Sequence, residues 1–179
     1  MNWFWKLLLR VTGWITVGSL PENEHKFVII VVPHTSNWDF ILGVIIRGAM
    51  GFKANFLGKK SLFSRPFGVI FRKLGGIPVD RRMPQNIVDQ VVAEANKRIS
   101  FILAITPEGT RGKVKKWRTG FYYIALNAHM PIVMCQLDYE HKEARFLAPF
   151  YVSGNVDKDL EYLRSQSQDI KGLHDLKNK

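Results

Sequence analysis

Apolar positions recur along this chain with two different periods, and the change from one to the other marks out its elements. Phe27–Val32, Phe101–Thr106 and Ile132–Leu137 are short, nearly unbroken runs of aliphatic, aromatic and β-branched residues, the pattern of strands buried on both faces. In 84–99, apolar residues instead fall at 87, 88, 91, 92, 95 and 99, one stripe of a 3.6-residue helix. The same reading predicts helices over 37–49, ended by Gly51, and over 61–74, 121–128 and 157–166. It predicts further strands over 54–57, 77–79, 144–147 and 150–152. Strands alternating with helices define an α/β fold: a largely parallel or mixed central sheet flanked by helices. There is no internal repeat and no linker. The domain is expected to span 26–166, followed by a frayed basic tail over 167–179.

The first twenty residues have their own pattern. Asn2, Lys6, Arg10 and Gly13 fall on one helical face, and Trp3, Phe4, Leu7, Leu8, Val11, Trp14 and Ile15 cover the other. Lys6 and Arg10 interrupt the apolar run, and Gly13 and Gly18 weaken it as a helix, which argues against a transmembrane span. A signal peptide would need a charged start and a small-residue cleavage site, and neither is present. Tryptophans beside basic residues suit a helix lying in the membrane interface over residues 1–20. An amphipathic helix packed on its own domain has the same pattern.

Composition adds a partner class. The 179 residues carry 26 Lys and Arg against 15 Asp and Glu, a net charge of +11, which calls for an anionic surface or substrate. No stacking aromatics interleave with the basic clusters, so nucleic acid is not the expected partner. The one cysteine, Cys135, sits in an apolar run, where thiols are ordinarily inert core. The five histidines have no ligand spacing, and no metal is expected.

Two polar clusters carry the candidate chemistry. Parallel strands present their functional loops beyond their carboxyl ends. The strand 27–32 runs into Pro33-His34-Thr35-Ser36-Asn37-Trp38-Asp39, and the strand 101–106 into Pro107-Glu108-Gly109-Thr110-Arg111. Both clusters therefore belong on one sheet edge. A neutral imidazole can take a proton from a hydroxyl near neutral pH, and a carboxylate on its other nitrogen fixes the tautomer. His34 and Asp39 could form that pair, although an aspartate in a first helical turn is also favoured by the helix dipole alone. Basic residues cluster over 53–82 and 111–118, where arginine can bind phosphate bidentately or simply face anionic lipid.

His34-Thr35-Ser36-Asn37-Trp38-Asp39 resembles the His-x4-Asp motif of the glycerolipid acyltransferases, the lysophosphatidic acid acyltransferase-like proteins. Gly76-Ile77-Pro78-Val79-Asp80-Arg81, Pro107-Glu108-Gly109-Thr110-Arg111 and Met130-Pro131-Ile132-Val133 resemble that family's next three motifs, in order. The resemblance implies that His34 is the general base and that Asp39 orients it. It implies that Arg81, Glu108, Gly109, Thr110 and Arg111 line the acceptor-phosphate site, that Gly76 and Lys59, the latter where family members often carry a basic residue, also belong to the substrate-binding set, and that Pro131 shapes the acyl side. It implies a lysolipid acceptor, foremost 1-acyl-sn-glycerol-3-phosphate, and an acyl thioester donor on acyl carrier protein or coenzyme A. No cofactor is expected to stay bound, and the setting is monotopic at the cytoplasmic face of an anionic membrane. The sequence around Trp117-Arg118-Thr119-Gly120 departs from longer members, which keeps a phosphate-free lyso-aminolipid open as acceptor. A noncatalytic lipid-binding protein and a hydrolase are the other readings of this scaffold.

Overall fold

β2 (Lys26–Val32) is the strand around which the sheet is built. β5 (Phe101–Ile105) lies along one edge of it and β6 (Ile132–Asp138) along the other, both parallel. The computed structural model describes residues 2–64, 66, 68–79, 84–111, 114 and 116–177. Among these residues seven strands form one sheet, in the order β1 (Ile15–Val17), β7 (Glu143–Phe146), β6, β2, β5, β3 (Asn55–Lys59) and β4 (Gly76–Val79). β3 and β4 extend it in parallel. β7 turns back antiparallel to β6, which makes the sheet mixed.

Alternation along β2 creates two cores. Val28, Ile30 and Val32 join Val91 and Ala95 of α4 (Pro84–Asn96) and Phe121, Tyr122 and Ile124 of α5 (Gly120–Asn127). Leu163 of α6 (Val156–Ser165) completes that layer. On the other face, Phe27 and Ile29 meet Leu42, Ile46 and Ala49 of α2 (Trp38–Met50) and Leu9 of α1 (Asn2–Thr12). With both faces covered, the strand is apolar from Phe27 to Val32, after a first residue, Lys26, whose Nζ donates to the Ala95 carbonyl.

The amino-terminal segment divides into two elements. α1 ends at Thr12, and Gly13 turns the chain at φ +77° into β1 (Ile15–Val17), which pairs with β7 at the sheet edge. α1 packs on α2 through Trp5 and Leu9. The approach is close at Gly48, where a Cβ would lie 2.4 Å from Trp5 Cγ. Trp3 (75% exposed), Phe4, Leu7 and Val11 (76%) face outward. Leu8 is half-buried, and Ile15 stands exposed on β1. Trp14 is a correction: it is 8% exposed and belongs to the core, because the turn at Gly13 swings it inward onto Tyr139. None of the described helices is long and apolar enough to cross a membrane.

Three further expectations change. The helix expected over 61–74 is a 3-10 turn (Lys60–Phe63) and a separate α3 (Gly68–Lys73). Ser64 is extended at ψ 155°, and Pro66 has no N–H to continue a helical ladder. The strand expected over 150–152 is reduced to one bridge, Ile132 with Phe150. Its continuation is drawn away because Asp159 accepts the Ser153 amide and hydroxyl at 2.7 and 2.8 Å. The tail expected to be frayed contains α7 (Leu173–Lys177). It is held because the Lys171 carbonyl accepts the Tyr139 N–H at 3.0 Å and Gly172 is buried against Thr35.

Candidate active site

The carboxyl ends of β2 and β5 bring the two polar clusters together as expected. His34 follows β2, and Asp39 lies in the first turn of α2. His34 Nδ1 is 2.9 Å from Asp39 Oδ2. The same oxygen accepts the N–H groups of Thr35 and Ser36, each at 2.9 Å. Tyr139, just past the end of β6, donates its hydroxyl to Asp39 Oδ1 at 2.6 Å. Burial alone would raise the pKa of Asp39. The donors from His34, Tyr139 and Ser36 outweigh it and hold the carboxyl below its ordinary value. Asp39 is therefore an acceptor, His34 carries its proton on Nδ1, and Nε2 is left to take one from elsewhere.

Glu108 supports this arrangement from β5. Its Oε2 accepts the backbone N–H of His34 at 2.6 Å. Burial pushes its carboxyl up to about 7, against the opposing pull of that N–H. Glu108 thus fixes the main chain of the histidine loop. Beside it, Gly109 sits at φ +64°, and the Arg118 side chain lies over it. A Cβ at Gly109 would come within 2.6 Å of Arg118 Cδ. The Arg118 N–H donates to the Pro107 carbonyl at 2.8 Å, tying the two loops together.

These loops form the mouth of a cavity of about 1150 Å³. His34, Asn37, Gly109, Thr110, Arg111 and Arg118 line its polar end. Its walls are mainly apolar, from Ile29 and Val31 beside α2 to Ile87 and Val88 of α4. Arg111 Nη1 donates to Asn37 Oδ1 at 2.6 Å, so a cation from the β5 loop is fastened to the histidine loop. No cluster of three or more potential metal-ligating side chains occurs among the described residues.

Other expected residues are placed differently. Lys59 ends β3 on the correct edge, but it is exposed and outside the cavity lining. Gly76 and Pro131 are not brought to the site. They precede or begin strands that parallel β2 and β5, and so lie at the amino ends, opposite the functional loops. The absent side chain of Gly76 makes room for the Phe63 ring, and the Pro131 carbonyl accepts the Val28 N–H. Arg81 lies outside the described residues. Sequence reasoning assigned no role to Asn37 or Tyr139, and placed Arg118 only within the basic run 111–118 that could bind phosphate. Nothing in the sequence pairs Tyr139 with a carboxylate a hundred positions earlier.

Glu108 generates a testable pH dependence. Between 4.5 and about 7 the unfolded chain has released this proton while the folded protein retains it. Stability therefore falls as pH rises across that window, by on the order of 3 kcal/mol. Glu108→Gln is expected to flatten the slope, which urea denaturation at the two ends of the window would measure.

Comparison with known proteins now adds the family. The model of the Acyltransferase family matches residues 5–137. The 1-acyl-sn-glycerol-3-phosphate acyltransferase of Limnanthes douglasii is 27% identical over 141 residues, covering 73% of this chain and 45% of that protein. The protein of the same description from Cocos nucifera is 28% identical over 144 residues, covering 74% and 45%. The chain therefore spans less than half the length of these relatives. The crystal structure of the 1-acyl-sn-glycerophosphate (LPA) acyltransferase PlsC from Thermotoga maritima matches with a TM-score of 0.67 at 17% identity. That match covers 99% of this chain and 78% of the other, a likeness of fold. The family match begins in α1 and continues through the strands and loops that build the dyad and its cavity: the chain belongs to the acyltransferase family.

Proposed function

We propose that this chain is an O-acyltransferase that moves a fatty acyl group from an acyl thioester to a lysolipid hydroxyl, foremost that of 1-acyl-sn-glycerol-3-phosphate. The observation that carries the reading is the His34–Asp39 dyad at the polar mouth of a mainly apolar cavity. An acceptor hydroxyl there can give its proton to His34 Nε2 as its oxygen attacks the thioester carbonyl. The developing imidazolium is stabilised by the ionised Asp39. Collapse of the tetrahedral intermediate expels the thiolate, which takes the proton back from His34. The products are the ester and the free thiol, and no atom remains on the protein.

Direct transfer fits better than a covalent enzyme intermediate. Cys135 lines the cavity, but burial pushes its thiol up to about 12, far from the thiolate a nucleophile needs. Arg111 and Arg118 stand where an acceptor phosphate would enter. Arg81 is assigned to the same role by sequence. The donor is an acyl thioester of coenzyme A or acyl carrier protein.

The outward stripe of α1 is the proposed membrane contact, on a monotopic protein at the cytoplasmic face. Trp3, Phe4, Leu7 and Val11 are exposed on α1, and Trp38 and Ile41 are exposed on α2 beneath it. Asn2 lies at Gly51, the end of α2, so α1 runs back along α2 toward the dyad. The apolar face therefore extends to the cavity mouth, which suits substrates that reside in a bilayer.

Three measurements test this reading. His34→Ala is expected to lower kcat by about 10²–10⁴-fold or more in a protein that keeps its circular dichroism spectrum. Near-normal turnover would remove the base assignment. Arg111→Ala is expected to raise KM for a phosphate-bearing lysolipid, at a cost of about 1.5–3 kcal/mol. It should leave KM for a phosphate-free lysolipid nearly unchanged, and equal losses on both would make the arginine structural. Serine at Trp3, Leu7 and Val11 together is expected to release the protein from anionic liposomes. Turnover of a bilayer acceptor should fall more than turnover of a short-chain soluble one, and undiminished sedimentation would place the anchor on the basic surface.

A further inference from the structure

We propose that Tyr139 is a positioning residue of the dyad: its hydroxyl locks the Asp39 carboxylate so that Oδ2 faces His34, and the Trp14 ring holds the hydroxyl in place. The proposal rests on the reading of His34 as general base.

The two oxygens of Asp39 have unequal surroundings. Oδ2 accepts from His34 Nδ1 and from the N–H groups of Thr35 and Ser36. Among the described residues, the partner of Oδ1 is the Tyr139 hydroxyl at 2.6 Å. The Asp39 side chain is 2% exposed, so water does not readily replace that hydroxyl. Without it, the carboxylate could turn about its last bond to share its donors between both oxygens, and the imidazole would lose a fixed acceptor. Burial and the adjacent Asp39 raise the pKa of the phenol. Tyr139 therefore keeps its proton and acts as a donor. It does not line the cavity, so it acts through Asp39 rather than on substrate.

Tyr139 is itself held from two sides. Its N–H donates to the Lys171 carbonyl, just before α7. Its ring meets Trp14 edge-on, with centroids 4.8 Å apart and planes at 84°. Trp14 stands between α1 and β1, and the turn carrying Tyr139 is fastened to the same segment. Ile15 donates its N–H to the Lys142 carbonyl at 3.0 Å, and Lys142 Nζ donates to the Thr12 carbonyl at 3.3 Å. A continuous set of contacts thus runs from α1 through Trp14 and Tyr139 to Asp39 and His34. Among the described residues, Glu108, after β5, also faces the dyad, Asp175 of α7 acts on Glu108, and Arg111 reaches the histidine loop through Asn37.

Tyr139→Phe keeps the ring against Trp14 and removes only the hydroxyl. The expected result is a kcat lowered about tenfold or more, with KM for both substrates unchanged. Removing the phenol's proton leaves the Asp39 carboxylate more basic even as its orientation loosens, so the acid limb of the kcat/KM profile should move to higher pH while kcat falls. Nitrogen-15 NMR of the folded protein without substrate should show the His34 Nδ1–H signal displaced and broadened. Replacing Tyr139 by 3-fluorotyrosine, a stronger donor of nearly the same shape, should move the acid limb the opposite way. A folded Tyr139→Phe protein with an unmoved pH profile and unchanged imidazole signals overturns the proposal, whatever happens to kcat. If Tyr139→Phe does not fold, an unmoved profile in the fluorotyrosine protein overturns it instead. The NMR reading needs no substrate, so it still reports on Tyr139 if His34→Ala shows that His34 is not the base.

Discussion

A buried carboxylate that must stay ionised is the constraint on which the rest of the site depends. Moving a lone carboxylate out of water costs several kcal/mol, and Asp39 is almost wholly enclosed. Four donors offset that cost: the imidazole, two backbone N–H groups and a phenol. Two of the four come from the turn between His34 and Asp39 itself. The spacing of the pair is therefore structural as well as chemical. The intervening residues let the chain fold back far enough for their own amides to reach the side chain that begins the helix. A shorter connection would remove those amides, and a longer one would cost more entropy to order.

The sheet supplies what the turn cannot. β5 parallels β2, so Glu108 arrives at the same edge as His34 and accepts its N–H. β6 parallels β2 on the other side and delivers Tyr139 to Asp39. Three neighbouring strands ending on one edge thus contribute His34, the group that holds its main chain and the group that holds its carboxylate partner. An antiparallel neighbour at either position would have ended at the opposite edge.

The sequence revealed what depends on local pattern. The buried strands, the stripe of α4 and the shared edge of the His34 and Glu108 clusters all follow from periodicity and from the direction of parallel strands. Motif resemblance did less well where it carried residues without their strand position. Gly76 and Pro131 lie at amino ends, opposite the edge to which the same parallel rule brings both His34 and Glu108. Trp14 was misplaced because helical periodicity was continued past Gly13, a residue whose positive φ ends α1 and turns the next side chain inward. Tyr139 and the ordered tail were not legible at all. Their roles come from contacts between residues far apart in the chain, and no spacing rule encodes those.

Two segments far apart in the sequence converge on the dyad, and this bears on how the site is stabilised. α1 and β1 reach it through Trp14 and Tyr139. The segment before α7 reaches it through the Lys171 carbonyl and through Gly172 against Thr35. Both segments close over a polar turn that offers little apolar surface of its own. Burial of Trp14 and Gly172 excludes water from the side of Asp39 away from the cavity. The dyad then faces the cavity on one side and packed protein on the other, and in such a low-dielectric setting a carboxylate acts most strongly on an imidazolium.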